Sequence, residues 1–243
     1  MPIQFFGKTD IGSVRDTNQD NFFADYLDCG IDEQVFLAVV CDGMGGASGG
    51  SFASSLAIKT FVSELCTGLK NVSAEKLSID SCELLLSYAA KCANSAVYNA
   101  AQGNSELHGM GTTLVGMMVF RNTVYALNIG DSRLYVLGED GMCKLTRDHS
   151  YVQALVDQGK ISEAEAKVHF KCTRSRSYIS GDYRVTVTDH YDVFRAGSMT
   201  FRQVPVDAST KMPDRHMDAI EPFCFEDMKP FSPEEFSEAL FDK

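Results

Sequence analysis

The densest chemistry in the chain lies in its first 50 residues. Arg15-Asp16-Thr17-Asn18-Gln19-Asp20 is followed, after an apolar run, by Cys41-Asp42-Gly43-Met44-Gly45-Gly46. Asp20 and Asp42 supply hard oxygen ligands of the kind that suit Mg²⁺ or Mn²⁺. Small glycines beside Asp42 expose backbone carbonyls and let a ligand approach closely. Arg15 offers a planar fork for a phosphate. Each residue also has a plainer reading. An Asp before Gly is a common turn residue, and an Arg near an Asp is commonly a surface pair. The glycine-rich stretch from Gly43 to Gly50 lacks the Gly-Lys-Ser/Thr ending and the G-x-G-x-x-G spacing of nucleotide-binding loops.

These residues need elements to position them. Val35 to Cys41 is continuously apolar and ends at Asp42-Gly43, which predicts a strand buried on both faces. Helical periodicity covers Ser48 to Cys66 and Asp80 to Gln102, the second with Asp80 and Glu83 as a capped start. Three β-rich runs follow at Thr112 to Phe120, Thr123 to Ile129 and Arg133 to Leu137, with Arg121-Asn122 as a tight hairpin turn. Ser150 to Gly159 reads as a short helix closed by glycine. Strands, two long helices and more strands predict an α+β fold, an antiparallel sheet system with helices packed outside it.

Beyond about Val168 the texture changes. Lys171 to Ser177 is a basic, hydroxyl-rich loop segment, and Tyr183 to Tyr191 has some β character with no clear apolar strand after it. From Met212 onward nine acids face three bases, more than half of the net charge of −11. Within that tail, Ser232 and Pro233 head an amphipathic helix over Glu234 to Phe241. The plain reading of the tail is a solvated acidic face.

Composition sets outer bounds. The 243 residues suit one domain with a sizeable core, and 44% hydrophobic against 23% charged residues excludes a disordered or fibrous chain. The acidic balance argues against nucleic-acid or anionic-membrane partners. Eight scattered cysteines with no C-x-x-C pair, and a start without a basic and apolar leader, predict a reduced cytoplasmic protein. The longest apolar run is seven residues, far short of the roughly 20 needed to span a bilayer.

Taken in order, the motifs resemble the metal-dependent protein phosphatase family (the protein phosphatase 2C type) in its compact bacterial form. The resemblance runs from about Phe5 to His169. It rests on Thr9 to Arg15, Asn18-Gln19-Asp20, Val40 to Gly46, Gly109-Met110-Gly111-Thr112-Thr113-Leu114, Asn128 to Arg133, and Leu145 to Ser150. It implies a central antiparallel β-sandwich flanked by helix pairs, with a two-metal centre (Mn²⁺ or Mg²⁺) at one end. It further implies that Asp42 bridges both ions, that the Gly43 carbonyl ligates one, and that Asp20 acts at the same centre. Arg15 would hold the substrate phosphate, and Asp131 matches a position linked to a third ion, with a hairpin-turn role as the alternative. The implied reaction is hydrolysis of phosphoserine or phosphothreonine in proteins, with no covalent nucleophile; no cysteine here sits in a C-x₅-R loop. The implied partners are phosphoproteins and a serine/threonine kinase, and the chain is expected to be a monomer.

Met44 stands where many eukaryotic members carry His. His149 and His169 are candidate proton carriers, with a structural place at a helix start as the alternative for His149. The family's later Ser-Asp-Gly turn is due near residues 200–210, where Asp207 stands before Ala208, and its final Asp-Asn pair is due just past residue 240. The chain thus divides into 1–169, family-like, 170–211, divergent, and 212–243, an acidic tail, all within one domain. A truncated or frame-altered member that binds a phosphoprotein or metal without turnover is the alternative expectation.

Overall fold

The computed structural model describes residues 3–13, 15–45, 49–72, 77–138, 141–166, 179–180, 193–196 and 199–203. The fold is α+β, an antiparallel sheet with a helix pair, as the periodicities predict. Asp207, His169, the basic segment 171–177 and the acidic tail with its expected helix lie outside the described residues.

The sheet is built around β2 (Val35–Met44), which pairs antiparallel with β1 (Asp20–Leu27) on one side. On its other side are β3 (Gly111–Thr112) and β4 (Leu114–Phe120). β4 turns directly into β5 (Thr123–Ile129) through Arg121-Asn122, the expected hairpin turn. Arg121 sits there at φ 55, a left-handed conformation that disfavours most side chains. Its guanidinium donates to both carboxylate oxygens of Glu33 at 2.7 and 2.8 Å and lies 4.7 Å from the Phe120 ring centroid, contacts that hold the turn.

β6 (Tyr135–Gly138) and β7 (Gly141–Lys144) form a separate two-stranded ribbon, of which the sequence reading contained only the first strand. No clear apolar run follows Tyr191 in the sequence, yet short strands form on both sides of it. β8 (Ile179–Ser180) pairs with β3, while β9 (Val193–Ala196) pairs with β10 (Met199–Gln203), and β10 runs parallel to β5. Met199 to Gln203 alternates apolar with polar residues, the pattern of a strand with one solvated face rather than a buried one. β1 was also missed: Phe22, Phe23 and Tyr26 are strand formers, but Asp20 and Asp25 break the apolar run.

One face of the sheet is covered by α1 (Gly49–Asn71) and α2 (Ile79–Gly103), each close to its expected span. Ala53, Ala57, Phe61, Leu65 and Leu69 recur at helical spacing along α1 and join Val35, Leu37, Val39 and Cys41 of β2 in one buried cluster. Leu86, Ala89, Ala93 and Val97 complete it from α2. The helices approach so closely that a Cβ on Gly68 would run into Leu85. The start of α2 is capped by Ser78, not by Asp80. The Ser81 amide donates to Ser78 Oγ at 3.2 Å, because Ser78 is extended and turns its hydroxyl onto the first helical turn. After the ribbon come α3 (Tyr151–Asp157), capped by Ser150, and the short α4 (Glu163–Ala166).

The reading of β2 as buried on both faces holds only for its first half. Val35, Phe36 and Leu37 are all buried, whereas Val40 is 47% exposed. On the face away from the helices a smaller cluster of Phe36, Val119 and Val124 is covered by Ile3, Ala24, Tyr26, Ala38 and Met117. No helix among the described residues is long and apolar enough to cross a membrane.

Candidate functional site

Register alone carries two carboxylates together. Asp20 is the first residue of β1 and pairs directly with Asp42 of β2, so both side chains leave the same face of the sheet as immediate neighbours. That is the face away from the helix pair, since the alternate residues Val39 and Cys41 point into the helix-side core. Along this face, rows cross the strands from Tyr26–Phe36–Val119–Val124, through Phe22–Val40–Val115–Asn128, to Asp20–Asp42. The acidic pair stands at the last row, where the sheet ends.

The backbone around the pair is fixed on every side. The Asp42 amide donates to Thr113 Oγ1 at 2.9 Å, and its carbonyl accepts from the Thr113 amide at 2.9 Å and Thr112 Oγ1 at 3.0 Å. The Asp20 amide donates to Asn18 Oδ1 at 3.1 Å. α1 grips the preceding residues: Ser51 Oγ donates to the Asn18 carbonyl at 3.0 Å and Ser54 Oγ to the Gln19 carbonyl at 2.7 Å. Gly43 donates its amide to the Gln19 carbonyl at 3.2 Å. A Cβ there would collide with the backbone of Gly50 and Gln19, so only glycine fits between them.

The electrostatics are those of two carboxylates sharing too little positive charge. Burial first, then the charge of Asp20, raises the Asp42 pKa above the usual carboxylate value, and Arg15 partly opposes the rise. Asp20 Oδ1 is buried with no hydrogen-bond partner. A buried carboxylate oxygen without a donor is costly unless a cation satisfies it. The donor set is oxygen only, which fits a hard divalent cation. Among the described residues, however, no group of three or more His, Cys, Asp or Glu side chains gathers closely enough to hold an ion.

Asp131 follows the end of β5, near the same sheet end. Burial raises its pKa, and the charges of Asp148 and Asp42 add to the rise, with Arg133 opposing. Its turn is strapped from behind. The Gly130 amide donates to His149 Nδ1 at 3.3 Å, and the His149 amide donates back to the Gly130 carbonyl at 2.8 Å. Arg133 forks onto Asp148, with Nη2 to Oδ2 at 2.6 Å. Burial lowers the His149 pKa, and its Nδ1 accepts an amide, so this imidazole braces the turn in its neutral form. That contact fits the structural place given above as the alternative for His149.

The structure therefore brings Asp20, Asp42 and Gly43 together, places the charge of Arg15 within reach of Asp42, and sets Asp131 nearby. Asp207 lies outside the described residues. Residues to which the sequence reading gave no role also emerge. Thr113 ties Asp42 to the Asp131 turn, because its hydroxyl meets Ser132 Oγ at 2.6 Å. Ser51 and Ser54 anchor the strand entry to Asp20. The available signal was two hydroxyls on the turn of α1 that follows the glycines.

The chain is similar to known proteins. The family model described as Protein phosphatase 2C matches residues 13–174. The "Serine/threonine phosphatase stp" of Listeria innocua serovar 6a is 35% identical over 164 residues, 67% of this chain and 61% of that protein. The crystal structure of serine/threonine phosphatase Stp1 from Staphylococcus aureus superposes with a TM-score of 0.62 at 35% identity, covering 74% of this chain and 66% of that one. The catalytic domain of serine/threonine protein phosphatase PstP in complex with two manganese ions gives a TM-score of 0.57 at 29% identity, over 73% of this chain and 67% of that one. The chain thus spans somewhat less than two thirds of the length of its Listeria relative. With a family model matching well over half of its residues, the chain belongs to the protein phosphatase 2C family.

Proposed function

We propose that this chain hydrolyses phosphoserine and phosphothreonine in proteins by attack of water on phosphorus, without a covalent intermediate. The observation that carries the reading is the Asp20–Asp42 pair, opposed across two strands, with one buried carboxylate oxygen unpartnered and Asp42 held above its usual pKa. Asp20, Asp42 and the Gly43 carbonyl would hold two divalent cations, Mn²⁺ or Mg²⁺, with Asp42 shared between them. Bound there, the cations supply Lewis-acid activation of water and neutralise charge on the phosphoryl oxygens. Arg15 holds the substrate phosphate through its planar fork, and its exposure leaves it open to a protein substrate. Thr113 keeps the Asp42 backbone from turning as substrate enters. Asp131 would serve a third ion, and Asp207 is the remaining carboxylate candidate. The two manganese ions in the PstP relative support the choice of metal. The same reading takes residues 1–243 as one domain, a monomer in the cytoplasm acting opposite a serine/threonine kinase.

A second reading is favoured by one observation. Among the described residues only two carboxylates meet, and no third ligating side chain completes a group. A member of this kind binds a phosphoprotein or a metal without turnover.

Phosphate release from a phosphothreonine peptide in the presence of Mn²⁺ separates the two. The phosphatase reading expects Asp42→Ala to lower the rate at least about 10²-fold. Equal rates in the two proteins would eliminate it. An inert wild type that still binds Mn²⁺ would establish the second reading.

A further inference from the structure

The loop that carries Arg15 is closed at its base by two side chains. Asn18 Nδ2 donates to Thr9 Oγ1 at 2.7 Å, so the chain leaves at Thr9 and returns at Asn18 to one point. That base is partly buried, while Asp10 to Ser13 and Arg15 to Thr17 are exposed. The chain turns at Gly12, whose φ of 73 suits glycine and whose amide donates to Asp10 Oδ1 at 2.7 Å. Asn18 also holds the other side. Its Oδ1 accepts the Asp20 amide at 3.1 Å, and its carbonyl accepts from Ser51 Oγ of α1 at 3.0 Å. The bond to Asp20 is an ordinary Asx turn at a strand entry. The bond to Thr9 spans nine positions and has no part in that turn.

We propose that Asn18 is a positioning residue that locks the Arg15 loop to the Asp20 end of β1. The phosphate-holding fork and the cation-holding carboxylate then share one frame. The inference rests on the phosphatase reading above, in which Arg15 and Asp20 act on the same phosphoryl group. Arg15 stands on an exposed loop, and its fork grips a phosphate at two points only when the backbone beneath it is fixed. Ordering a free loop at each encounter costs affinity, and closing it beforehand removes that cost. An amide side chain suits the task because it carries a donor group and an acceptor group in one plane. A single residue therefore serves the loop with its nitrogen and the strand with its oxygen.

The two halves of the tether can be cut separately in the full chain. Thr9→Val removes the acceptor, keeps the side-chain shape and leaves the Asn18–Asp20 bond in place. Thr9→Ser keeps the hydroxyl, and Asn18→Ala removes both bonds. With a phosphothreonine peptide and Mn²⁺, Thr9→Val is expected to raise KM about 3- to 10-fold, with the effect in KM rather than kcat. Thr9→Ser should stay near wild type. Calorimetric titration of Mn²⁺ should give Thr9→Val the wild-type affinity and Asn18→Ala a weaker one, because only the second releases Asp20.

Trypsin, which cuts after Arg15, reads the loop without any turnover. Mass spectrometry should show that bond cut about 3- to 10-fold faster in Thr9→Val than in wild type or Thr9→Ser. Equal trypsin rates for Thr9→Val and wild type would overturn the proposal, as would an unchanged KM. A loss of Mn²⁺ affinity in Thr9→Val as large as in Asn18→Ala would also overturn it, because the whole site would then have loosened. An inert wild type whose loop is still released by Thr9→Val would sink the phosphatase reading and leave the tether standing. If Asn18→Ala fails to fold, the two Thr9 variants decide the matter alone.

Discussion

The two faces of the sheet are built for different ends. Toward the helices, β2, β4 and β5 contribute Val35, Leu37, Val39, Leu114, Met118, Tyr125, Leu127 and Ile129 to one large buried cluster. On the opposite face the buried cluster shrinks to Phe36, Val119 and Val124, and it gives way along β2 first to the exposed Val40 and then to Asp42. The strands are the same, and so is the backbone hydrogen bonding. Only the alternate side chains differ, so one set of residues supplies stability while its neighbours are released to hold charge. The lesson is a division of labour at single-residue spacing. The price is visible in the acidic pair, whose mutual repulsion the helix-side core must offset.

The sharpest way to break this comparison is to truncate each face in turn. Phe61→Ala, in the helix-side core, is expected to cost about 3–5 kcal/mol in denaturant unfolding. Val119→Ala, on the carboxylate face, should cost only about 1–2 kcal/mol. Equal losses would mean that both faces carry stability alike. A smaller effect is expected from Thr113→Val, which leaves the Asp42 amide without its 2.9 Å acceptor and cuts the tie to Ser132. It should cost about 1–2 kcal/mol by the same unfolding measurement, with Thr113→Ser restoring most of the loss. If Thr113→Val were neutral, the hydroxyl would not be what fixes Asp42.

The smallest effect concerns charge on the acidic pair in metal-free protein. The folded-state pKa of Asp42 lies above the ordinary carboxylate value, because of burial and Asp20. Its contribution to stability is therefore fully present below the unfolded pKa of about 3.9 and is lost as pH rises through the raised folded value. Asp42→Asn removes that loss. Thermal melts in EDTA across the acid range should show the variant gaining on wild type as pH rises. A difference that stays flat with pH would refute the repulsion.

Much of this was legible in the sequence, for identifiable reasons. The helix pair followed from apolar residues at helical spacing, and the β4–β5 hairpin from two apolar runs two residues apart. Asp42 and Gly43 were found because a carboxylate ends an apolar strand. What stayed hidden depends on partners. β1 was hidden because its acidic residues interrupt the apolar run, so the pairing of Asp20 with Asp42, the core of the site, was not visible as register. Ser78 displaced Asp80 as the helix cap through backbone geometry that periodicity does not encode. Thr113 and Ser54 act through hydrogen bonds to residues more than 30 positions away.

The central claim is that the Asp20–Asp42 pair holds divalent cations at the end of the sheet. Calorimetric titration of Mn²⁺ into the metal-free chain and into Asp42→Ala tests it most directly. Saturable binding in the wild type that disappears in the variant is the predicted result. Identical isotherms for the two proteins, or no binding to the wild type, would contradict it.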